Sequence, residues 1–217
     1  PTKNANILKI AGVEGVSIDN NHTYDYGKEG QSDTIDAIKS VGIDYGIGGK
    51  IIYYTKNDFT VAFICDGLWA TYHEKYIIEA LKEASEVSDY QIVFFHGGTE
   101  KVHEPEQWKI NSCHKIVDAG ADLVLGCHPH VLQPREVYNG VEIIYSLGNF
   151  CYGGSSRPEN ATIIYQMNLT IDNREVKNEI STIIPCYVYT GSRNNYQPTP
   201  IDPNDENYDK ILSFIGT

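Results

Sequence analysis

The sequence predicts an α/β fold of two packed sheets flanked by helices, and three observations carry that prediction. Over the first 130 residues, apolar segments of strand length alternate with segments of helical period, the grammar of a largely parallel sheet. Beyond His130 the grammar changes to alternating strands joined by tight turns, which predicts antiparallel pairing. Thirdly, three apolar runs each deliver Asn or His into the loop that follows: Gly15-Val16-Ser17-Ile18 into Asn20-Asn21-His22, Gln91-Ile92-Val93-Phe94-Phe95 into His96, and Ala121-Asp122-Leu123-Val124-Leu125 into Gly126-Cys127-His128-Pro129-His130. In an open α/β sheet, ligands bind outside the carboxyl ends of the strands.

Taken in order, residues 4–11 read as a short helix and 14–18 as a strand. Residues 27–41 carry Ile35, Ile38 and Val41 at helical spacing, with Gly42 as the stop. Residues 43–46 make a short strand, and 51–54 and 59–63 a hairpin across Lys56-Asn57-Asp58. Residues 73–87 form a helix with Ile77, Ile78, Leu81 and Ala84 on one stripe, followed by strand 91–95, helix 104–119 and strand 122–125. Asn139-Gly140 between 135–138 and 141–146 is a strong hairpin signal. Strands 161–171 and 176–185 flank Asp172-Asn173-Arg174, and 204–214 closes the chain as a helix. Residues 196–207, rich in Pro, Asn and Asp, are the one candidate for disorder.

A chain of 217 residues without repeats reads as one domain, 1–217, with a substantial core. Its net charge of −12 argues against a nucleic-acid partner, which needs a basic footprint. It does not exclude an anionic substrate, because bound cations invert the local field. No stretch approaches the ~20 apolar residues of a membrane span. The chain begins at Pro1, so its first residue says nothing about a leader. The five cysteines lack any CxxC pair and read as free thiols. Cys127, inside the histidine loop, is either a soft ligand or a small residue in a tight place, and the second is favoured.

Histidines two apart just past a strand end can converge on one point, and convergent neutral imidazoles suit a transition metal. His128, His130 and His96 are therefore metal-ligand candidates. Asn21 and His22 have a competing reading, since Asn and His tolerate left-handed turns and cap helices. His73, His103 and His114 fall on helices or their edges and read as packed or solvated.

Four motifs in order resemble those of the bacterial capsule synthesis protein family CapA, involved in poly-γ-glutamate capsules. They are Asn20-Asn21-His22-Thr23-x-Asp25-Tyr26-Gly27, His96-x-Gly98-x-Glu100, Gly126-x-His128-Pro129-His130 and Tyr145-Ser146-Leu147-Gly148-Asn149-Phe150. That family is similar in fold to the calcineurin-like metallophosphoesterases, so the resemblance implies a four-layer α/β/β/α sandwich with a two-metal site. It implies that Asn21, His96 and His128 serve one metal and His130 the other, the metals being Mn, Zn or Fe. His22 would protonate the leaving group, Asp25 and Glu100 would orient ligands or substrate, and Asn149 would do so or shape a turn. Two cations roughly 3.5–4 Å apart generate hydroxide and stabilise the charge of in-line displacement.

The departures are informative too. The family places an Asp motif and a further acidic motif on strands upstream of Asn20-Asn21-His22, and the nineteen residues here contain neither. The sheet is expected to lack its amino-terminal strands and the site its bridging carboxylate, as in a chain that has lost its amino-terminal part. Such a chain is expected to be weakly active or inactive. It would also expose a long edge strand and apolar surface, and is expected to pair with a second copy or to be poorly soluble. Gly97 stands where the family carries Trp, which predicts a wider pocket or a missing aromatic wall. The expected function is a capsule-associated, metal-dependent hydrolase of a phosphoester or γ-glutamyl amide. The alternative is a non-catalytic factor that binds the anionic polymer or its export machinery. A weaker reading makes the histidines structural in an intracellular binding domain. Resemblance alone implies an extracytoplasmic location through an amino-terminal membrane anchor absent from this chain.

Overall fold

The computed structural model describes residues 2–216. A 3-10 turn, Thr2–Asn4, leads into α1 (Ala5–Ile10), then β1 (Gly15–Ser17), α2 (Gly27–Ser40) and β2 (Asp44–Gly46). The hairpin of β3 (Ile51–Lys56) and β4 (Phe59–Gly67) precedes α3 (Glu74–Ser85), β5 (Tyr90–His96), α4 (Gln107–Asp118) and β6 (Leu123–Cys127). The hairpin of β7 (Leu132–Tyr138) and β8 (Val141–Leu147) follows, then the long pair β9 (Ala161–Asp172) and β10 (Glu175–Tyr187), the short β11 (Thr199–Pro200) and α5 (Glu206–Ile215).

The large sheet has the order β3-β4-β5-β6-β8-β7. Its middle, β4 to β6 and on to β8, is parallel, and both outer pairs are antiparallel hairpins. The central strands are buried on both faces, as parallel strands usually are, and alternate residues divide the core. Val93, Val124 and Ile143 pack under α3 and α4 with Ile77, Leu81 and Ile116. Ile92, Leu123 and Ile144 face the other way, onto the β11-β10-β9 sheet through Tyr165, Met167, Ile163 and Ile183. Each fully buried Leu or Ile stabilises this arrangement by roughly 1.5–3 kcal/mol. The packing makes a helix layer, a mixed sheet and an antiparallel sheet, with α5 closing the inter-sheet core through Ile211 and Ile215.

Three hairpins turn on paired residues of positive φ, the requirement of a type I′ connection. These are Asn57 and Asp58 (50° and 62°), Asn139 and Gly140 (50° and 85°), and Asn173 and Arg174 (52° and 61°). Elsewhere the structure corrects the sequence reading. β4 runs four residues past Phe63, because its parallel register with β5 continues from Val61↔Tyr90 to Gly67↔His96 despite Asp66 and Gly67. β7 starts at Leu132 although it contains Pro134; it is an edge strand, where a missing N–H is tolerated. α4 begins at Gln107, not 104, since Glu106 is extended (ψ 143°). Residues 196–207 are ordered: β11 pairs with β10, Ile201 is buried, and Asp205 caps α5 by accepting from the Asn207 N–H at 2.9 Å. β1 and β2, three residues each, pair in parallel as a separate two-stranded sheet, and the large sheet ends on β3 and β7.

At the carboxyl end of β4, Asp66 accepts the Gly67 N–H at 2.8 Å. Burial, and then the charge of Asp19, push its carboxyl up to about 6. The protonated form is the one the fold favours, so this stability is complete below 3.8 and lost as pH rises through about 6. Asp66→Asn should therefore raise Tm at pH 8 and leave it nearly unchanged at pH 4, measured by thermal unfolding at both pH values.

Candidate functional site

The last rungs of the parallel ladder bring the site together. Gly67, His96 and Cys127 are register partners across β4, β5 and β6. Beyond them, the Leu68 N–H donates to His96 O at 2.9 Å and the Gly97 N–H to Cys127 O at 3.0 Å, so the three loops leave the sheet edge in step. The loop after β1 delivers Asn21 and His22 to the same edge. Its turn is fixed by the Thr23 hydroxyl, which donates to Ile18 O at 2.6 Å, and by Asn20 Oδ1, which accepts the His22 N–H at 2.8 Å.

All the candidate residues meet there. Asn21 Oδ1 lies 3.1 Å from His96 Nε2, and His128 Nδ1 lies 3.1 Å from the same nitrogen. One donor atom from each of Glu100, His128 and His130 falls within 4.8 Å of the others. His128 thus belongs to both groupings, and Glu100, expected only to orient, stands among potential ligands. The 98–102 loop places it there: Lys101, at φ 60°, donates its N–H to Pro129 O at 2.7 Å, between the two histidines.

Hydrogen bonds fix the ring tautomers. The Asn149 amide donates Nδ2–H to His130 O at 2.8 Å, so its Oδ1, 2.9 Å from His130 Nδ1, must accept. His130 is therefore protonated on Nδ1, the tautomer that in the neutral ring leaves the Nε2 lone pair for a metal. Asn149 shapes the site by orienting this ring. His22 Nδ1 lies 2.8 Å from Asp25 Oδ2, and an ionised carboxylate can only accept. His22 Nε2 then accepts from Asn21 Nδ2 at 3.2 Å, which turns Asn21 Oδ1 toward His96. On its other side His96 Nδ1 sits 3.0 Å from Cys127 Sγ.

Burial, reinforced by His128, His130 and His22, lowers His96 to about 4. Burial lowers His128 as well, with Glu100 working in the opposite direction. Neutral imidazoles are the metal-binding form. Burial also raises the Cys127 thiol to about 12, which leaves it a protonated, small neighbour of the His96 ring. Three imidazoles, one carboxylate and one amide oxygen form a donor set that fits a borderline divalent transition metal. His128 has φ 105° and His130 φ 59°, backbone costs of the kind that persist at functional sites.

Two aromatic walls complete the site. Trp69 stands edge-on to His96 and His128, with ring centroids 5.5 and 5.3 Å away, and Tyr152 lies 4.8 Å from His130. Neither was found by sequence reasoning. The expectation at Gly97 is corrected accordingly: a Cβ there would lie 1.8 Å from Leu68 O, so the strand leaves no room, and Trp69 supplies the wall. His73 Nδ1 accepts the Trp69 N–H at 3.2 Å and holds that loop. His103 and His114 pack away from the site, against Phe214 and Tyr138.

Fold and site together define an α/β protein with a strand-end constellation of imidazole, amide and carboxylate donors. Residues 1–153 match the family described as bacterial capsule synthesis protein PGA_cap. The chain is 32% identical over 213 residues to capsule biosynthesis protein CapA of Bacillus anthracis, covering 85% of this chain and 50% of that protein. It is 31% identical over 185 residues to PGA biosynthesis protein CapA of Bacillus subtilis (strain 168), covering 74% and 49%. A probable polyglutamine synthesis accessory protein of Mycobacterium tuberculosis (strain CDC 1551 / Oshkosh) is 25% identical over 162 residues, covering 60% and 43%. This chain belongs to the bacterial capsule synthesis protein family, and it spans about half the length of the curated relatives it matches.

Two outcomes are expected from the site residues. At φ 105° a glycine is unstrained where alanine is not, so His128→Gly should be more stable than His128→Ala by about 1–3 kcal/mol in urea unfolding. His96 protonates more readily unfolded than folded, so its contribution is complete above pH 6.5 and is lost as pH falls toward 4. His96→Gln should flatten that part of the stability profile, read from urea midpoints across the range.

Proposed function

We propose that this chain carries the metal-binding half of a capsule-associated, metal-dependent hydrolase acting on a phosphoester or a γ-glutamyl amide. The observation that carries this reading is the convergence of Glu100, His128 and His130 donors within 4.8 Å, continuous with His96 and Asn21. His96, His128, His130, Glu100 and Asn21 would hold divalent Mn, Zn or Fe, two ions in the intact protein. The metal supplies Lewis acidity: water activation and stabilisation of charge developing on a phosphoryl or acyl oxygen.

The chain's own residues do the rest. Asp25 accepts from His22 Nδ1 and holds the ring beside Asn21; on protonation Nε2 would release the Asn21 amide, and that Nε2 proton would then pass to the leaving group. Asn149 keeps His130 Nε2 available, and Trp69 screens His96 and His128 from one side. In the whole protein we assign these layers to the four-layer sandwich of the calcineurin-like enzymes. No helix among the described residues is long and apolar enough to cross a membrane, and an extracytoplasmic, membrane-anchored location is part of this proposal for the longer protein. The substrate we assign is an anionic polymer or phosphoester, and the partners the capsule synthesis or export machinery.

The test is elemental analysis after loading with Mn²⁺ or Zn²⁺, followed by assays on phosphoesters and γ-glutamyl amides. Stoichiometric metal lost in His128→Ala/His130→Ala is expected. His22→Gln should keep the metal and lose about 10²-fold or more in turnover where activity is present. Absence of bound metal from the wild-type protein sinks the proposal. Metal bound with no turnover on either substrate class, also in a chain extended to its relatives' length, favours the non-catalytic polymer-binding role.

A further inference from the structure

Beneath the loop that carries Glu100 lies a buried cation. Lys109, on the inner face of α4, has no exposed side-chain surface. An unpaired buried ammonium is strongly destabilising, so its partners are informative. Nζ donates to Gln133 Oε1 at 2.6 Å and lies 3.2 Å from Glu106 Oε2. Burial works against ionisation of Glu106, but hydrogen bonds from Thr99 and its own amide, with the charge of Lys109, outweigh it and hold the carboxyl below its ordinary value.

Both partners reach the Glu100 loop, one at each end. The Thr99 hydroxyl donates to Glu106 Oε1 at 2.5 Å, and Gln133 Nε2 donates to Val102 O at 2.7 Å. Gly98, at φ 109°, lies directly over the ammonium: a Cβ there would come within 2.5 Å of Nζ. Glu100 sits between these anchors, and the neighbouring Lys101 N–H is bound to Pro129 O. The loop is thus pinned at Thr99, Lys101 and Val102, and two of the three pins converge on Lys109.

We propose that Lys109 is a positioning residue of the metal site, holding Glu100 opposite His128 and His130 through Glu106–Thr99 on one side and Gln133–Val102 on the other. It touches neither metal nor substrate. The proposal rests on reading Glu100, His128 and His130 as metal ligands, and its test separates the two. Zn²⁺ affinity by competition with a chelating dye, and amide hydrogen exchange of the metal-free protein, are measured for wild type, Lys109→Met, Thr99→Val and Thr99→Ser.

Groups that support metal ligands typically contribute about 10–100-fold in affinity. Lys109→Met should weaken Zn²⁺ binding by about 10-fold or more. Thr99→Val should weaken it in the same direction, and Thr99→Ser, which keeps the hydroxyl, should match wild type. Exchange at residues 98–102 should quicken in Lys109→Met and Thr99→Val while β5 stays protected. Unchanged affinity and exchange in folded Lys109→Met, or in Thr99→Val where Lys109→Met does not fold, overturns the proposal. Wild-type protein that binds no Zn²⁺ overturns the metal reading, and hydrogen exchange then decides the clamp alone: faster exchange at 98–102 supports it, and no change overturns it.

Discussion

The structure of the site depends on one constraint, the register of β4, β5 and β6 at their carboxyl ends. Gly67, His96 and Cys127 pair in line, so the loops that follow leave the sheet at the same level. A shift of one residue in β5 would turn His96 to the opposite face and separate it from both Asn21 and His128. The same rung requires small neighbours. A Cβ at Gly67 would lie 2.1 Å from Trp69 Nε1, and one at Gly97 would collide with Leu68 O, so the folding-back of Trp69 and the exit of β5 depend on each other. Backbone pairing, side-chain volume and the aromatic wall are therefore a single feature.

From that rung the order passes into hydrogen bonding. Asp25 sets the His22 tautomer, His22 sets the Asn21 amide, and Asn21 presents its oxygen to His96. Asn149 does the same for His130 from the opposite side, gripping both ring and backbone. A lone exposed histidine samples several rotamers. These rings are held by partners that can play only one role each, which is how an open strand-end site keeps its donors aimed inward.

Much of this was legible in the sequence because strand ends are local. The apolar runs before Asn21, His96 and His128 announced their own carboxyl ends, and the residues after them met as expected. What was hidden depends on register or on tertiary bonds. The apolar run ends at Cys65, and only the ladder with β5 carries β4 on through Asp66 and Gly67, so Trp69 lay too far along to be placed at the site. The approach of Glu100 follows from a left-handed Lys101 and its bond to Pro129, which no local pattern encodes. Lys109 left a fainter mark: with Cys113 and Ile116 it occupies the buried stripe of α4, where a lysine is out of place unless it is paired.

The charge of the site would reconcile an acidic protein with the anionic substrate proposed for it. The chain carries −12 overall, yet its candidate donors are three imidazoles, one amide and a single carboxylate. A dication held by Glu100, His128 and His130 would keep a net charge of about +1, whereas a cluster of several carboxylates would cancel it. Lys109 adds a positive charge below the loop, largely matched by Glu106. The local field would therefore favour a phosphate or carboxylate at the metal while the rest of the surface repels it, confining productive binding to the strand-end cleft. Under that proposal, histidine in place of further carboxylates would leave more of the metal's positive charge for an anion to meet.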